Sequence, residues 1–492
     1  MEASPETQPV YLVQKDASER GNARTAIFYA AALLSGLALR IWMLLKNFQV
    51  QGDSLVYGAI AKNLLHRGLY AYNTDITGLP HITLIRLPGY PLFLAACFKL
   101  FGMENYAGPV YIQMGLDLVA CVLLAGFARR MAPAALKKSA AMTTLWLAAL
   151  CPFTADYSVQ PLTESLTVFA LALAMWAMAR FRDQPAWKNA LGFTLAVTLA
   201  AILRPDGALA AVALAPAMMF GLPAAAIARG KLARMAAVCI LLALLPFGLW
   251  TWRNWRTFHV FQPLAPRTAT DPGEFSYPGW ERWARTWSLD FSSTYQVYWH
   301  IPNEDLDVNA LPERAFDSAA DLEETKAIAA AYDENDDTIS PALDARLERL
   351  AQQRIHDNPP RFYVWLPLGR LLDMTLHPRT ENMNIDVDWW AYSRHPDETV
   401  FSWAYAGLNA LYLVLGMTGL CLRPRFWKPL AAYIVLRSVL LLITVGAPED
   451  RYTLEFFPMI FACGGVAVAA GMHRFAERRT ATAAANVLNG AL

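Results

Sequence analysis

Apolar runs recur along most of this chain, at residues 25–45, 106–127, 140–153, 162–179, 190–203, 207–221, 235–250, 400–420, 429–445 and 456–471. Short polar intervals separate them, and none shows the strict alternation of a half-exposed strand. Runs of this length and number make a bilayer the natural solvent for the chain. Several fall short of the roughly 20 residues that cross a bilayer untilted, so their boundaries are soft. Residues 90–101 form a further candidate. The expected fold is an all-α polytopic bundle of about 10–13 transmembrane helices, with amphipathic helices in the first loop and a mostly helical segment outside the membrane. The first run is longer than the 7–15-residue core of a signal peptide and follows a polar lead, so it is expected to be a retained helix.

The pattern breaks once, over residues 252–398. There Leu343, Leu347, Leu350 and Ile355 recur at near-helical spacing and predict an amphipathic helix that stops at Pro359-Pro360. The next piece, residues 361–376, is apolar but holds Arg370 and Asp373. It is expected to lie in the membrane interface rather than cross, because a crossing would invert every later basic cluster. The chain therefore divides into a tail (1–24), a transmembrane module (25–251) containing the first loop (46–105), a loop subdomain (252–398), closing spans (399–472) and a second tail (473–492).

Charge orients the bundle. Lys15, Arg20 and Arg24 fall on one side, with Arg129, Arg130, Lys137 and Lys138, then Arg180, Arg182 and Lys188, then Arg229, Lys231 and Arg234. Arg423, Arg425, Lys428, Arg474, Arg478 and Arg479 complete that side. The positive-inside rule makes this face cytoplasmic, with both termini inside a plasma (inner) membrane. The other face receives the first loop, the turn at Asp156, the turn at Arg204, the long stretch and residues 447–454. Within the long stretch, residues 303–357 hold fifteen Asp/Glu against five Lys/Arg.

Composition agrees. Of 492 residues, 55% are hydrophobic and 17% charged, against about 25% charged in soluble chains. The net charge of +1, without a basic tail or basic–aromatic interleaving, excludes a nucleic-acid partner and leaves membrane lipids. All six cysteines lie in or beside apolar runs, where they behave as small hydrophobes. No glycine-rich phosphate loop follows a strand pattern, and the histidines lack zinc-ligand spacing.

The first loop carries the most chemistry. It reads Gln51-Gly52-Asp53-Ser54, then Tyr57, Asn63, Gly68 and Tyr70, and later Arg86-Leu87-Pro88-Gly89-Tyr90-Pro91. Further on come Asp156, Thr163-Glu164-Ser165 at the opening of a run, and Leu203-Arg204-Pro205-Asp206-Gly207 at a junction. Arg253-Asn254 follows a run, and Arg451-Tyr452 precedes Phe456 and Pro458. Asp53, Arg86, Asp156, Glu164, Arg204, Arg253 and Arg451 all fall on or beside the outer face, and one-sided charges near a bilayer favour a shared site. Each also has a plain structural reading. Asp53 can cap the following helix, Arg86 can pair with a loop acid such as Asp75, and the others can snorkel or pair with one another.

In this order the motifs resemble the C-type glycosyltransferases that use polyprenyl-phosphate sugars. The likeness is to the branch of protein O-mannosyltransferases and lipid A aminoarabinose transferases, and it extends over almost the whole chain. It implies a polyprenyl-phosphate sugar donor and a lipid, glycan or protein acceptor. By position it makes Asp53 the base and Arg86 the main ligand of the lipid phosphate, joined by Arg204 and Arg451. Asp156 matches a second outer acid, while Tyr57, Tyr90, Glu164, Arg253 and Tyr452 are candidate cavity residues. A phosphate leaving group needs no general acid, so one carboxylate and phosphate-holding arginines suffice, and attack from the opposite face inverts the anomeric centre. The O-mannosyltransferases carry Asp-Glu in the first loop, whereas here Asp53 precedes Ser54, which shifts the expectation from a protein acceptor toward a lipid or glycan. No cofactor is required. Asp386-Val387-Asp388 has the spacing of a divalent-metal site, but beside Trp389 and Trp390 it also reads as a membrane-interface loop. A lipid-linked glycan polymerase or ligase is the competing enzyme, and a secondary transporter the competing class. No internal repeat of the kind that builds two-halved transporters is visible.

Overall fold

The computed structural model describes residues 7–73, 78–220, 222, 226–302 and 304–489, with the side chains of 7–24, 483–485 and 487–489 left aside. Asp75 lies outside these residues. The chain is a helical, multi-pass membrane protein. Among the described residues seven helices are long and apolar enough to cross a membrane: Thr25–Asn47, Ala107–Met131, Glu164–Asp183, Arg229–Phe258, Pro396–Cys421, Trp427–Thr444 and Asp450–Thr482. Gly89–Phe101, Trp187–Leu203 and Pro205–Met219 are shorter apolar helices.

Each apolar run of the sequence coincides with a helix, with instructive differences at the ends. The first helix starts at Thr7, inside the expected tail. The run at 140–153 is cut at Ala149 because Pro152 cannot donate into a continuing helix. It instead opens the short helix Pro152–Ser158, which carries Asp156. The first loop is not purely helical. Asp53–Arg67 and Gly89–Phe101 flank a two-stranded antiparallel hairpin, Ala71–Asn73 with Pro80–Ile82, in which Tyr72 faces His81. Backbone pairing of two three-residue strands leaves no periodicity for a sequence to display.

Position within the bundle follows side-chain size. Glu164–Asp183, rich in alanine, is largely enclosed, whereas Arg229–Phe258, lined with Leu241, Leu244, Leu245 and Leu249, is almost wholly exposed. A Cβ on Gly419 would fall 1.9 Å from the Cys463 carbonyl oxygen, and one on Gly465 the same distance from Thr144 Oγ1. Small residues thus let Pro396–Cys421 and Lys137–Ala149 close onto the last helix, as membrane packing requires. A buried ion pair ties the first span to Ala107–Met131: Arg40 Nε donates to Asp117 Oδ2 at 2.9 Å. Its Nη1 donates to the Gly36 and Ala149 carbonyls at 2.8 Å each.

Residues 259–395 build a small cap over one end of the bundle. Trp280, Trp283 and Trp287 pack with Ile328, Leu343, Leu347 and Leu350. The helix Pro341–Asp357 ends before the expected proline pair and buries its predicted apolar stripe. Ser318 and Ser340 cap the helices Ala319–Asp333 and Pro341–Asp357. Leu366–Leu376 leaves Leu368, Leu372 and Leu376 exposed while Arg370 turns inward to the Ser288 carbonyl at 2.8 Å. One face of this helix is therefore apolar and exposed and the other holds a buried guanidinium.

Candidate functional site

Where the cap meets the bundle there is a cavity of about 960 Å³. Asp53, Tyr157, Gln160, Glu381, Glu449, Asp450 and Arg451 supply its polar wall, and Phe291, Tyr295, Trp299 and Trp389 its aromatic wall.

Asp53 reaches it because Gly52 turns the chain at φ +53°, a conformation that favours glycine, just beyond the first span. Asp53 is the first residue of its helix and does not cap it: Gly52 holds the cap position, with no side-chain bond. Its carboxylate is instead shared by two arginines. Arg86 Nη2 donates to Oδ1 at 2.6 Å and Arg451 Nη1 to Oδ2 at 2.9 Å. All three side chains stay about one-fifth to one-quarter exposed. Burial alone would push the Asp53 carboxyl up, but the Arg451 and Arg86 guanidiniums outweigh it and hold the group well below the usual carboxylate range.

From Arg451 the charges continue inward. Arg451 Nε lies 2.5 Å from Glu449, and its Nη1 is 4.0 Å from Glu164. Glu164 accepts from Arg204 Nη1 at 2.7 Å, and Arg204 Nε approaches Glu455 at 3.3 Å. Arg437 closes the chain on Glu455 at 2.7 Å and Asp206 at 2.8 Å. Tyr452 lies beneath Arg204 and Arg451, 5.7 and 5.6 Å from ring centroid to guanidinium carbon.

The expected residues therefore separate. Asp53 and Arg451 line the cavity. Arg86 touches Asp53 from behind and is not among the lining residues; its guanidinium rests 6.0 Å over the Tyr57 ring. Arg204, Glu164 and Tyr452 join the same network. Tyr57 is buried, and burial pushes its phenol up to about 12. Tyr90 is buried edge-on against Tyr57 and donates to Gln113 at 2.7 Å, as a packing residue. Arg253 stands apart, donating to the Thr83 and Tyr70 carbonyls and stacked among Tyr70, Trp250 and Phe258, where it fastens the hairpin.

Asp156 is also displaced from the wall. It sits buried behind Tyr157, accepting from Asn47 at 2.7 Å and Asn382 at 2.8 Å. Burial raises its carboxyl to about 7 against the opposing pull of those two bonds. The Asp386–Asp388 pair does not converge. Asp386 is held by His395 and Asp388 by Arg394, each at 3.0 Å, so each carboxylate has its own partner.

Arg437, Glu455 and Glu449 escaped the sequence reading, as did the group His377, Glu381 and Asp450. Arg437 alone left a signal, an arginine in the middle of the run at 429–445. Glu381, pushed up to about 8 by burial and by Asp450, accepts the Tyr157 hydroxyl.

Residues 86–250, a third of the chain, match a family model described as dolichyl-phosphate-mannose-protein mannosyltransferase. The resemblance read from the motifs is borne out over that segment, which holds Arg86, Asp156, Glu164 and Arg204 but neither Asp53 nor Arg451. Among solved structures, the chain is similar to the archaeal oligosaccharyltransferase AglB from Archaeoglobus fulgidus in complex with an inhibitory peptide and a dolichol-phosphate. The two share 14% identity and a TM-score of 0.49, over 94% of this chain and 52% of that one. It is also similar to ArnT from Cupriavidus metallidurans bound to undecaprenyl phosphate, at 13% identity and a TM-score of 0.36 over 91% and 78%. The chain spans about half the length of the oligosaccharyltransferase. Likeness of this degree carries no argument about activity. None of the curated proteins matches the chain in sequence.

Proposed function

We propose that this chain is a membrane glycosyltransferase that moves a sugar from a polyprenyl-phosphate donor to a hydroxyl acceptor. The observation that carries this reading is the Asp53 carboxylate shared between Arg86 and Arg451 at the edge of the cavity, together with the family match over residues 86–250. Asp53 stands between an open cavity on one side and Arg86 on the other. An acceptor hydroxyl enters from the cavity and Asp53 takes its proton as the acceptor oxygen bonds to the anomeric carbon. The bond from that carbon to the phosphate oxygen breaks, and its electron pair leaves on the polyprenyl phosphate, which Arg86 and Arg451 neutralise. Displacement from the opposite face inverts the anomeric centre.

Held by two arginines, Asp53 is a weak base. An arriving phosphate competes for the same guanidiniums, loosens their hold and moves Asp53 back toward a useful basicity. Donor binding thereby arms the base. The four aromatic rings on the far wall offer flat apolar faces to sugar rings, which supports a glycan-bearing lipid acceptor over a peptide. The basic clusters support a cytoplasmic location for both termini and an outward-facing site. A reporter inserted near Arg130 is then cytoplasmic and one near Asp333 is outside; a cytoplasmic signal at Asp333 overturns the orientation.

The test of the base is Asp53→Asn, assayed for transfer of radiolabelled sugar from polyprenyl phosphate in reconstituted vesicles. Loss of a general base costs about 10²–10⁴-fold in rate. Near-normal turnover in the variant would remove Asp53 from the chemistry.

A further inference from the structure

In the polar wall that also holds Asp53, two segments distant in sequence bring together His377, Glu381 and Asp450. We propose that these residues form a divalent-cation site, with Zn²⁺ the best-matched ion and Mn²⁺ the next.

One ligand atom from each residue lies within 4.8 Å of the others. Asp450 is fully buried and His377 nearly so, at 0% and 8% side-chain exposure. His377 Nδ1 is 2.5 Å from Asp450 Oδ2, yet that oxygen has no properly aligned hydrogen bond. Asp450 Oδ1 and Glu381 Oε2 are likewise buried without a partner. Buried polar atoms are nearly always satisfied, and here the Asp450 carboxyl and Glu381 Oε2 have only each other and the His377 ring to turn to, a grouping that a bound cation can satisfy. The nearest guanidinium, Arg379, is spent elsewhere: it donates to Asn409, to the Met374 and Asp450 backbone carbonyls and to the Thr453 hydroxyl. Two carboxyls crowded together in a low-dielectric wall are costly when both are charged, and a divalent ion between them removes that cost.

The donor set narrows the ion. One imidazole nitrogen and two carboxylate oxygens suit zinc or manganese rather than calcium or magnesium, which take oxygen alone. All three residues line the cavity. Three protein ligands would leave a coordination position that a water or acceptor oxygen could fill. One ligand is already oriented from outside the trio: Tyr157 donates to Glu381 Oε1. The site stands on these contacts and does not depend on the transferase reading.

The test measures metal directly. The full chain is purified in detergent, stripped with chelator, and titrated with ZnCl₂ and separately with MnCl₂. Bound metal is counted by mass spectrometry and thermal unfolding is followed in parallel. One ion per chain and a raised Tm are expected for the wild type. His377→Ala and Glu381→Gln should each bind at least about tenfold more weakly and lose the Tm response. Asp386→Asn, at the other acidic motif, should bind like the wild type. Glu381→Gln is isosteric and partly exposed, so it decides the question if His377→Ala fails to fold. Sub-stoichiometric metal in the wild type, or unchanged binding in Glu381→Gln, overturns the site and leaves the trio a hydrogen-bonded acid cluster. Either result stands whether or not the chain transfers sugar.

Discussion

Arg40 and Asp117 meet inside the bundle, Arg86 and Asp53 at the edge of a cavity, and their closest contacts are nearly equal, 2.5 and 2.6 Å. Composition and distance do not separate them. What does is everything around the contact. Arg40 and Asp117 are sealed from solvent, and the donors of Arg40 not spent on Asp117 end on two backbone carbonyls and the Cys121 sulfur. Nothing can enter that contact or leave it. Asp53 has two arginines, both still accessible, and opens on a space large enough for a substrate. The first pair staples helices together. The second is an arrangement a competing anion can rearrange. In a membrane protein a charge therefore points to a site only when it keeps both access and an exchangeable partner.

Cutting the sealed pair tests this contrast most severely. Asp117→Ala strands a buried guanidinium, and breaking a buried pair from one side costs about 3–5 kcal/mol. A marked fall in Tm is expected, with normal kcat in whatever fraction folds. A fall in kcat at unchanged Tm would erase the distinction between staple and site.

Arg86→Ala should do the reverse. A charge-assisted hydrogen bond is worth about 1.5–3 kcal/mol, so use of the donor should drop about ten- to a hundredfold. The partial exposure of Arg86 leaves Tm little changed. Arg86→Lys should fall between, since an ammonium cannot reproduce paired guanidinium bonds. Unchanged donor affinity with a lowered Tm would return Arg86 to a structural role.

Asp156 gives a smaller effect, read in pH. Its carboxyl is raised to about 7 in the fold from about 3.9 in an unfolded chain. The unfolded state therefore releases the proton first, and stability declines as pH rises through that interval, with no contribution below it. Asp156→Asn removes this titration. Its Tm should fall less than that of the wild type between pH 5 and pH 7.5. Parallel profiles would show that Asp156 does not titrate there, and unchanged transfer by the variant would keep it out of the catalytic step.

The sequence alone determined the helices and much of the network's membership, because apolar runs of this length have few other solutions in a bilayer. Leu343, Leu347 and Leu350 announced their helix, and Pro359-Pro360 its end, through local rules that need no partner. Asp53, Arg86, Glu164, Arg204 and Arg451 were legible as charges sorted to one face. Their pairing was not, since Asp53 meets Arg451 from the opposite end of the chain. Only the tertiary structure decided that Asp53 holds two arginines instead of capping a helix, that Arg86 stands behind it, and that Arg253 and Asp156 lie off the wall. It also disclosed Arg437, Glu455 and the His377–Glu381–Asp450 trio. Hydropathy reports how each segment meets lipid or water, whereas a site is built by contacts between segments, set by the small residues at Gly419 and Gly465 that let particular helices close.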